Sequence, residues 1–139
     1  MAMALLRIPA ALILAPVLAS AQPALQSPPA SFQTPSGNVH CLMRAEVLRC
    51  DVLERDHNPP PQPRDCPQGW RGGLALRTAG ETALLCDAGT VRDDEAFVLG
   101  YGARWLGPGI TCESHEAGLR CANGAGRGFQ ASRSRLTLF

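Results

Sequence analysis

Apolar residues in this chain fall in short runs separated by turn-forming residues. The runs are Val39–Met43, Leu48–Leu53, Leu74–Leu76, Ala83–Cys86, Phe97–Leu99, Ile110–Ser114, Leu119–Ala122, Phe129–Ala131 and Leu136–Leu138. Between them stand Thr34-Pro35-Ser36-Gly37, Arg71-Gly72-Gly73 and Gly107-Pro108-Gly109, each a β-turn or loop signal. After the N-terminus, no stretch of roughly 12 residues keeps a helical spacing of apolar positions without a glycine or proline. Short strands with turns between them predict a small all-β domain. The segment 58–67 (NPPPQPRDCP) holds five prolines in ten residues and predicts an extended, non-helical connection.

The N-terminus has a different pattern. Met1–Arg7 carries one positive charge, Ile8–Leu18 is apolar apart from Pro9 and Pro16, and Ala19-Ser20-Ala21 is a small-x-small site. These are the three parts of a secretory signal peptide over residues 1–21, with cleavage after Ala21. The apolar run is shorter than the roughly 20 residues a membrane-spanning helix needs. Residues 22–31 are rich in Pro, Ser and Ala and predict a flexible leader, with a single domain over 32–139. The expected location is the periplasm or outside the cell, with no stable membrane insertion once the signal is removed.

Composition narrows the chemistry. The 139 residues carry a net charge of +1, and removal of Arg7 with the signal leaves the mature chain neutral. Neutrality argues against nucleic acid as a partner. Lysine is absent, which excludes Schiff-base chemistry. The six cysteines show neither C-x-x-C nor ordinary zinc spacing, so no metal and no cofactor is expected. In an exported chain they read as disulfides.

Two cysteine pairs echo each other. Cys41 and Cys50 are nine apart, as are Cys112 and Cys121, and Val39-His40-Cys41 … Leu48-Arg49-Cys50 parallels Ile110-Thr111-Cys112 … Leu119-Arg120-Cys121. Opposing each pair across a hairpin sets the register. Val39 then faces Val52 and Met43 faces Leu48 on the cysteine face, while His40 faces Asp51 on the other. In the second hairpin Ser114 faces Leu119, and Glu113 faces Arg120 on the outer face. The predicted bridges are Cys41–Cys50, Cys112–Cys121 and, by elimination, Cys66–Cys86; the competing arrangement links the two hairpins. The predicted architecture is a small disulfide-stapled barrel or sandwich built from β-hairpins.

Candidate chemistry is sparse. His40 with Asp51 is the most defined pair, since a carboxylate-oriented imidazole serves as a general base. The alternative is an ordinary cross-strand surface pair. His115 sits in a hairpin tip beside Glu113 and Glu116, and His57 borders the proline segment. Asp93-Asp94-Glu95 reads as a solvated acidic loop. Gly124–Gly128 lacks the following helix of a phosphate cradle and reads as a tight crossing without room for side chains. Tyr101, Trp105 and Arg127, beside glycine-rich turns, are the candidate binding face. The competing role for Trp70 and Trp105 is to cap the core.

The motifs Phe32-Gln33-Thr34-Pro35-Ser36-Gly37-Asn38-Val39-His40-Cys41 and Arg49-Cys50-Asp51-Val52 resemble the opening of a family of small secreted bacterial six-cysteine domains of unknown function. Tyr101-Gly102, Cys112-Glu113-Ser114, Gly118-Leu119-Arg120-Cys121-Ala122-Asn123 and Gly126-Arg127-Gly128-Phe129 extend the resemblance over residues 32–139. Family members often carry histidine where this chain has Arg127. The resemblance implies no catalytic residue or substrate. Taken together, these features predict a non-enzymatic exported module that binds an envelope, secreted or host molecule. The alternative is a small hydrolase using His40 and Asp51.

Overall fold

The computed structural model describes residues 9, 11–16, 27–58, 60–64 and 66–139. Most of the expected signal peptide, its cleavage site after Ala21 and the start of the leader lie outside the described residues. Among the described residues no helix is long and apolar enough to cross a membrane.

The described chain is all-β, in two sheets. The first holds β1 (Ser31–Gln33), β2 (Val39–Arg44), β3 (Val47–Val52), β4 (Gly73–Arg77), β5 (Ala83–Leu85) and β6 (Phe97–Val98), in the order β5-β4-β3-β2-β1-β6. The second holds β7 (Arg104–Gly107), β8 (Ile110–His115), β9 (Gly118–Asn123), β10 (Gly128–Ala131) and β11 (Leu136–Leu138), in the order β11-β10-β9-β8-β7. Each sheet is thus a five-stranded antiparallel meander, and the first gains β6 in parallel alongside β1.

The hairpin registers follow the cysteine spacing. Cys41 pairs with Cys50, Val39 with Val52, Met43 with Leu48 and His40 with Asp51. Cys112 pairs with Cys121, Ser114 with Leu119 and Glu113 with Arg120. The disulfides are Cys41–Cys50, Cys66–Cys86 and Cys112–Cys121. In both hairpins the bridged α-carbons approach to about 4 Å (4.1 and 4.0 Å), the closeness of directly opposed strand positions.

The repeat extends beyond the hairpins. Phe32 pairs with Cys41 and Trp105 with Cys112; Leu74 pairs with Cys50 and Phe129 with Cys121. Two equivalent four-residue rows, Phe32–Cys41–Cys50–Leu74 and Trp105–Cys112–Cys121–Phe129, therefore cross the centres of the two sheets. Every member is buried in one apolar core. Phe32 and Trp105 meet ring to ring at 5.0 Å. The period-two alternation of each strand supplies the rest: Val39, Leu48, Val52 and Leu76 from the first sheet, and Ile110, Leu119 and Ala131 from the second.

Two strands are not visible as apolar runs. They are β1 and β7, the equivalent first strands of the two meanders. Each presents a single large aromatic to the core from a short strand bordered by proline or glycine. In β7 the Trp105 ring lies over the α-carbon of Gly107, where a Cβ would overlap it. The turn signal and the strand thus share one residue. The leader is also tied down at its end, because Pro29 O accepts from the Trp105 indole N–H at 2.8 Å and Ala30 O from the Met43 amide at 2.7 Å.

Candidate functional site

His40 and Asp51 lie on the outer face of the first sheet, opposite the disulfide face, yet they are not surface residues. His40 is 1% exposed and Asp51 6%. They belong to a second cross-strand row, Gln33–His40–Asp51–Gly73, extended to Val98 and Leu85 at the sheet edges. The chain leaving β5 must reach β6 at the opposite edge. Residues 86–96 make that crossing over this row and bury it. The expected solvated cross-strand pair is instead the floor beneath a strap.

Gln33, His40 and Asp51 of the floor, together with Arg49, hold the strap by its backbone, in the order of the strap's residues. Arg49 donates to Ala88 O at 3.0 Å and Gly89 O at 3.4 Å. Asp51 accepts the Val91 amide at 2.6 Å, and its other oxygen accepts from Arg49 at 3.2 Å. His40 Nδ1 accepts the Asp93 amide at 3.3 Å. Gln33 Nε2 donates to Asp94 O and Ala96 O at 3.1 and 2.9 Å. The strap has no ladder of its own, so these side chains supply hydrogen-bond partners that its backbone does not find within the strap. His40 Nε2 is 2.9 Å from Gly37 O, a carbonyl that only accepts. That contact puts the imidazole proton on Nε2 and leaves the Nδ1 lone pair for the strap. His40 and Asp51, neighbours in register, thus spend their hydrogen bonds on separate partners.

The acidic run is part of this strap. Asp93 and Asp94 face outward while their backbone groups meet His40 and Gln33. Arg92 binds Asp94 at 2.8 Å on the surface, and this hydrogen bond holds the Asp94 carboxyl below its ordinary range. Among the described residues no group of three or more His, Cys, Asp or Glu is placed to hold a metal ion.

The proposed binding trio is not brought together. Trp105 is 3% exposed in the core, because strand alternation turns it inward between the exposed Arg104 and Leu106. The core-capping role, also held by Trp70 at 8% exposure, is the one observed. Tyr101 is half exposed. The Gly102 amide beside it bonds Ser114 O, at the end of the sandwich where β8 finishes. Arg127 lies after β9, at the other end, where it pairs with Glu81 at 3.2 Å. The length of β9, roughly 17 Å at about 3.4 Å per residue, separates the two ends.

A groove forms at the Tyr101 end. The turn before β2 and the turn between β8 and β9 meet there, which shows that the two meanders run in opposite senses. One cavity of about 510 Å³ is lined by Ser36, Gly37, Asn38, Leu53, Glu54, Arg92 and Arg133. It shares Ser36, Asn38 and Arg133 with a second, of about 130 Å³, that adds Tyr101, His115 and Glu116. Charges of both signs border it: Arg133 reaches Glu54 at 3.6 Å and Asp56 at 3.4 Å. Behind it His57 stacks on Trp70 at 5.7 Å and contacts Ser132 O at 3.0 Å. Gln33 and Arg133 carried no sequence signal, because their partners lie far along the chain.

Residues 10–139 match the model of a family of unknown function, DUF6636. The chain belongs to that family. No curated protein and no solved structure matches it. Membership of DUF6636 agrees with the sequence resemblance at the level of a domain of unknown function. It brings no activity or ligand to the groove or to the strapped row.

Proposed function

We propose that this chain is an exported, non-enzymatic binding module whose contact surface is the groove from Arg92 to Tyr101. The observation that carries this reading is the groove itself. Turns from both sheets converge on a frame whose strands are stapled by buried disulfides, so the surface is held in place before any ligand arrives. Preorganisation of this kind lowers the entropic cost of association. An exposed tyrosine in one groove with Arg133 belongs to the residue types that anchor protein surfaces. Three disulfides suit an oxidising compartment, in keeping with the signal-like N-terminus. The engagement of His40 and Asp51 with the strap weighs against using them as a hydrolytic pair. The ligand is an envelope, secreted or host molecule that presents mixed charge to the groove.

The test compares pull-downs from envelope and medium extracts by the wild-type protein and by Tyr101→Ala/Arg133→Ala. A partner retained by the wild type and lost at least tenfold by the variant supports the reading. Equal capture by both removes the groove from it, and no partner at any salt concentration removes the binding function. The intact mass of the exported protein tests the compartment, with loss of residues 1–21 expected.

A further inference from the structure

The three disulfides occupy two different environments. Cys41, Cys50, Cys112 and Cys121 are 0–1% exposed, with their bridges facing each other across the core. A thiolate reaches those sulfurs only if the sheets separate. The Cys66–Cys86 bridge lies outside both sheets. It joins the end of the proline-rich connection to the first residue of the strap. Cys86 is partly exposed, and both cysteines line an open cavity of about 240 Å³ together with Gln68, Arg71 and Asp87.

We infer that Cys66–Cys86 is a thiol–disulfide exchange site, opened by dithiols while the sandwich stays folded. Exchange depends on access to sulfur and on stabilisation of the departing thiolate. Cys86 is the more exposed sulfur-bearing residue and is the point of attack. Arg71 lines the cavity that both cysteines share and favours a thiolate there, whereas Asp87, next to Cys86 in the chain, opposes a negative charge on Cys86. One thiolate of the dithiol bonds to Cys86 Sγ, the Cys66–Cys86 bond breaks, and Cys66 leaves as thiolate. The second thiol of the reagent then attacks the mixed disulfide and frees Cys86. The reagent ends as its own disulfide, having supplied both electrons. Opening releases Cys66 and residues 67–69 from the base of the strap, while Trp70 stays in the core and Arg49, Asp51, His40 and Gln33 continue to hold residues 88–96.

The experiment exposes the folded protein to graded dithiothreitol, quenches with N-ethylmaleimide and maps the labelled cysteines by mass spectrometry. Circular dichroism and amide exchange are followed in parallel. Cys66 and Cys86 are expected to label at least tenfold faster than the other four cysteines. The β-sheet signal should persist, and exchange should rise only over residues 66–69 and 86–87. Labelling of Cys41, Cys50, Cys112 and Cys121 at the same rate overturns the inference. So does labelling of Cys66 and Cys86 only as the β-sheet signal disappears. A Cys66→Ser/Cys86→Ser variant under the same dithiothreitol should keep its remaining bridges oxidised; their reduction there would show that the third bridge guards the core instead of serving as an exchange site.

Discussion

The two meanders share a framework and differ on their outer faces. On the core side, Phe32–Cys41–Cys50–Leu74 and Trp105–Cys112–Cys121–Phe129 are equivalent position by position. On the outer side the row Gln33–His40–Asp51–Gly73 of the first sheet corresponds to Leu106–Thr111–Ala122–Gly128 of the second. The first row is polar and lies under the strap. In the second row Leu106 is 60% exposed, and the charges stand one row away, as Arg104, Glu113 and Arg120. Strand pairing and disulfides therefore specify the sheet, whereas the outer row specifies what lies on it. A strap with no ladder needs side chains that accept from and donate to its backbone. The first sheet supplies them and the second does not.

The sharpest way to break the equivalence is at its two glycines. A Cβ on Gly128 would overlap the Cys121 carbonyl oxygen, a rigid strand group. On Gly73 it would meet the Leu85 side chain at 3.1 Å, on an edge strand that has room to move. Gly128→Ala is expected to cost about 3 kcal/mol or more, and Gly73→Ala about 1 kcal/mol, by urea denaturation. Similar values for both would show that the two rows pack alike. The two core bridges should instead behave as equals. Each closes a loop between cysteines nine apart, so Cys41→Ala/Cys50→Ala and Cys112→Ala/Cys121→Ala should each lose about 3 kcal/mol. A difference above roughly 1.5 kcal/mol, the spread typical of native-site strain and packing, would mean that the repeat is geometric and not energetic.

Smaller effects sharpen the contrast between outer rows. Asp51→Ala strands the Val91 amide and removes the carboxylate partner of Arg49, which keeps its bonds to Ala88 O and Gly89 O. It should cost about 2 kcal/mol and raise amide exchange over residues 88–93. Ala122→Ser, at the equivalent position, should stay within about 0.5 kcal/mol. An unchanged strap in Asp51→Ala would mean that the disulfide at its base and the Gln33, His40 and Arg49 contacts hold it without Asp51. The smallest effect belongs to the exposed Arg92–Asp94 pair. Arg92 lowers the Asp94 pKa, so its contribution is present above the ordinary carboxylate range and is lost as pH falls through the depressed folded value. In Arg92→Gln the Asp94 titration, followed by NMR, should move up; no movement would place the shift elsewhere.

The sequence spoke clearly where contacts are local. Hairpin pairing is a period-two pattern anchored by cysteines nine apart, so the inward or outward direction of Val39, His40, Ser114 and Glu113 was legible. Burial of the outer face was not. His40 looked solvated because the segment that covers it is more than 50 residues away (|i−j| = 53) and shows no apolar period. Gln33 reaches its acceptors across 61 and 63 residues. Trp105 shows the opposite error, with flanking glycine read as a loop when that glycine makes room for the indole. The crowding expected over Gly124–Gly128 is real at Gly128, while Gly124 and Gly126 have open space around them. A groove made by turns from both sheets has no linear signature, so of its lining only Tyr101 was a candidate for a binding face, and His115 with Glu116 read as a hairpin tip.

The strap also imposes an order of assembly. The hairpins β2–β3 and β8–β9 close through two-residue turns, and each meander grows by adding an adjacent strand. These are low-contact-order steps that need little loop closure. The parallel pairing of Phe32 with Phe97 is of another kind. It closes a loop containing the rest of the first meander, the proline-rich connection and the strap. Until β1 and its Gln33 side chain are in place, β6 has no edge to join and the strap no anchor at its far end. Strand β6 is therefore the last piece of the first sheet to fold. Substitutions that loosen the strap should therefore speed unfolding and leave the folding rate almost unchanged, which stopped-flow folding and unfolding rates of Asp51→Ala would check.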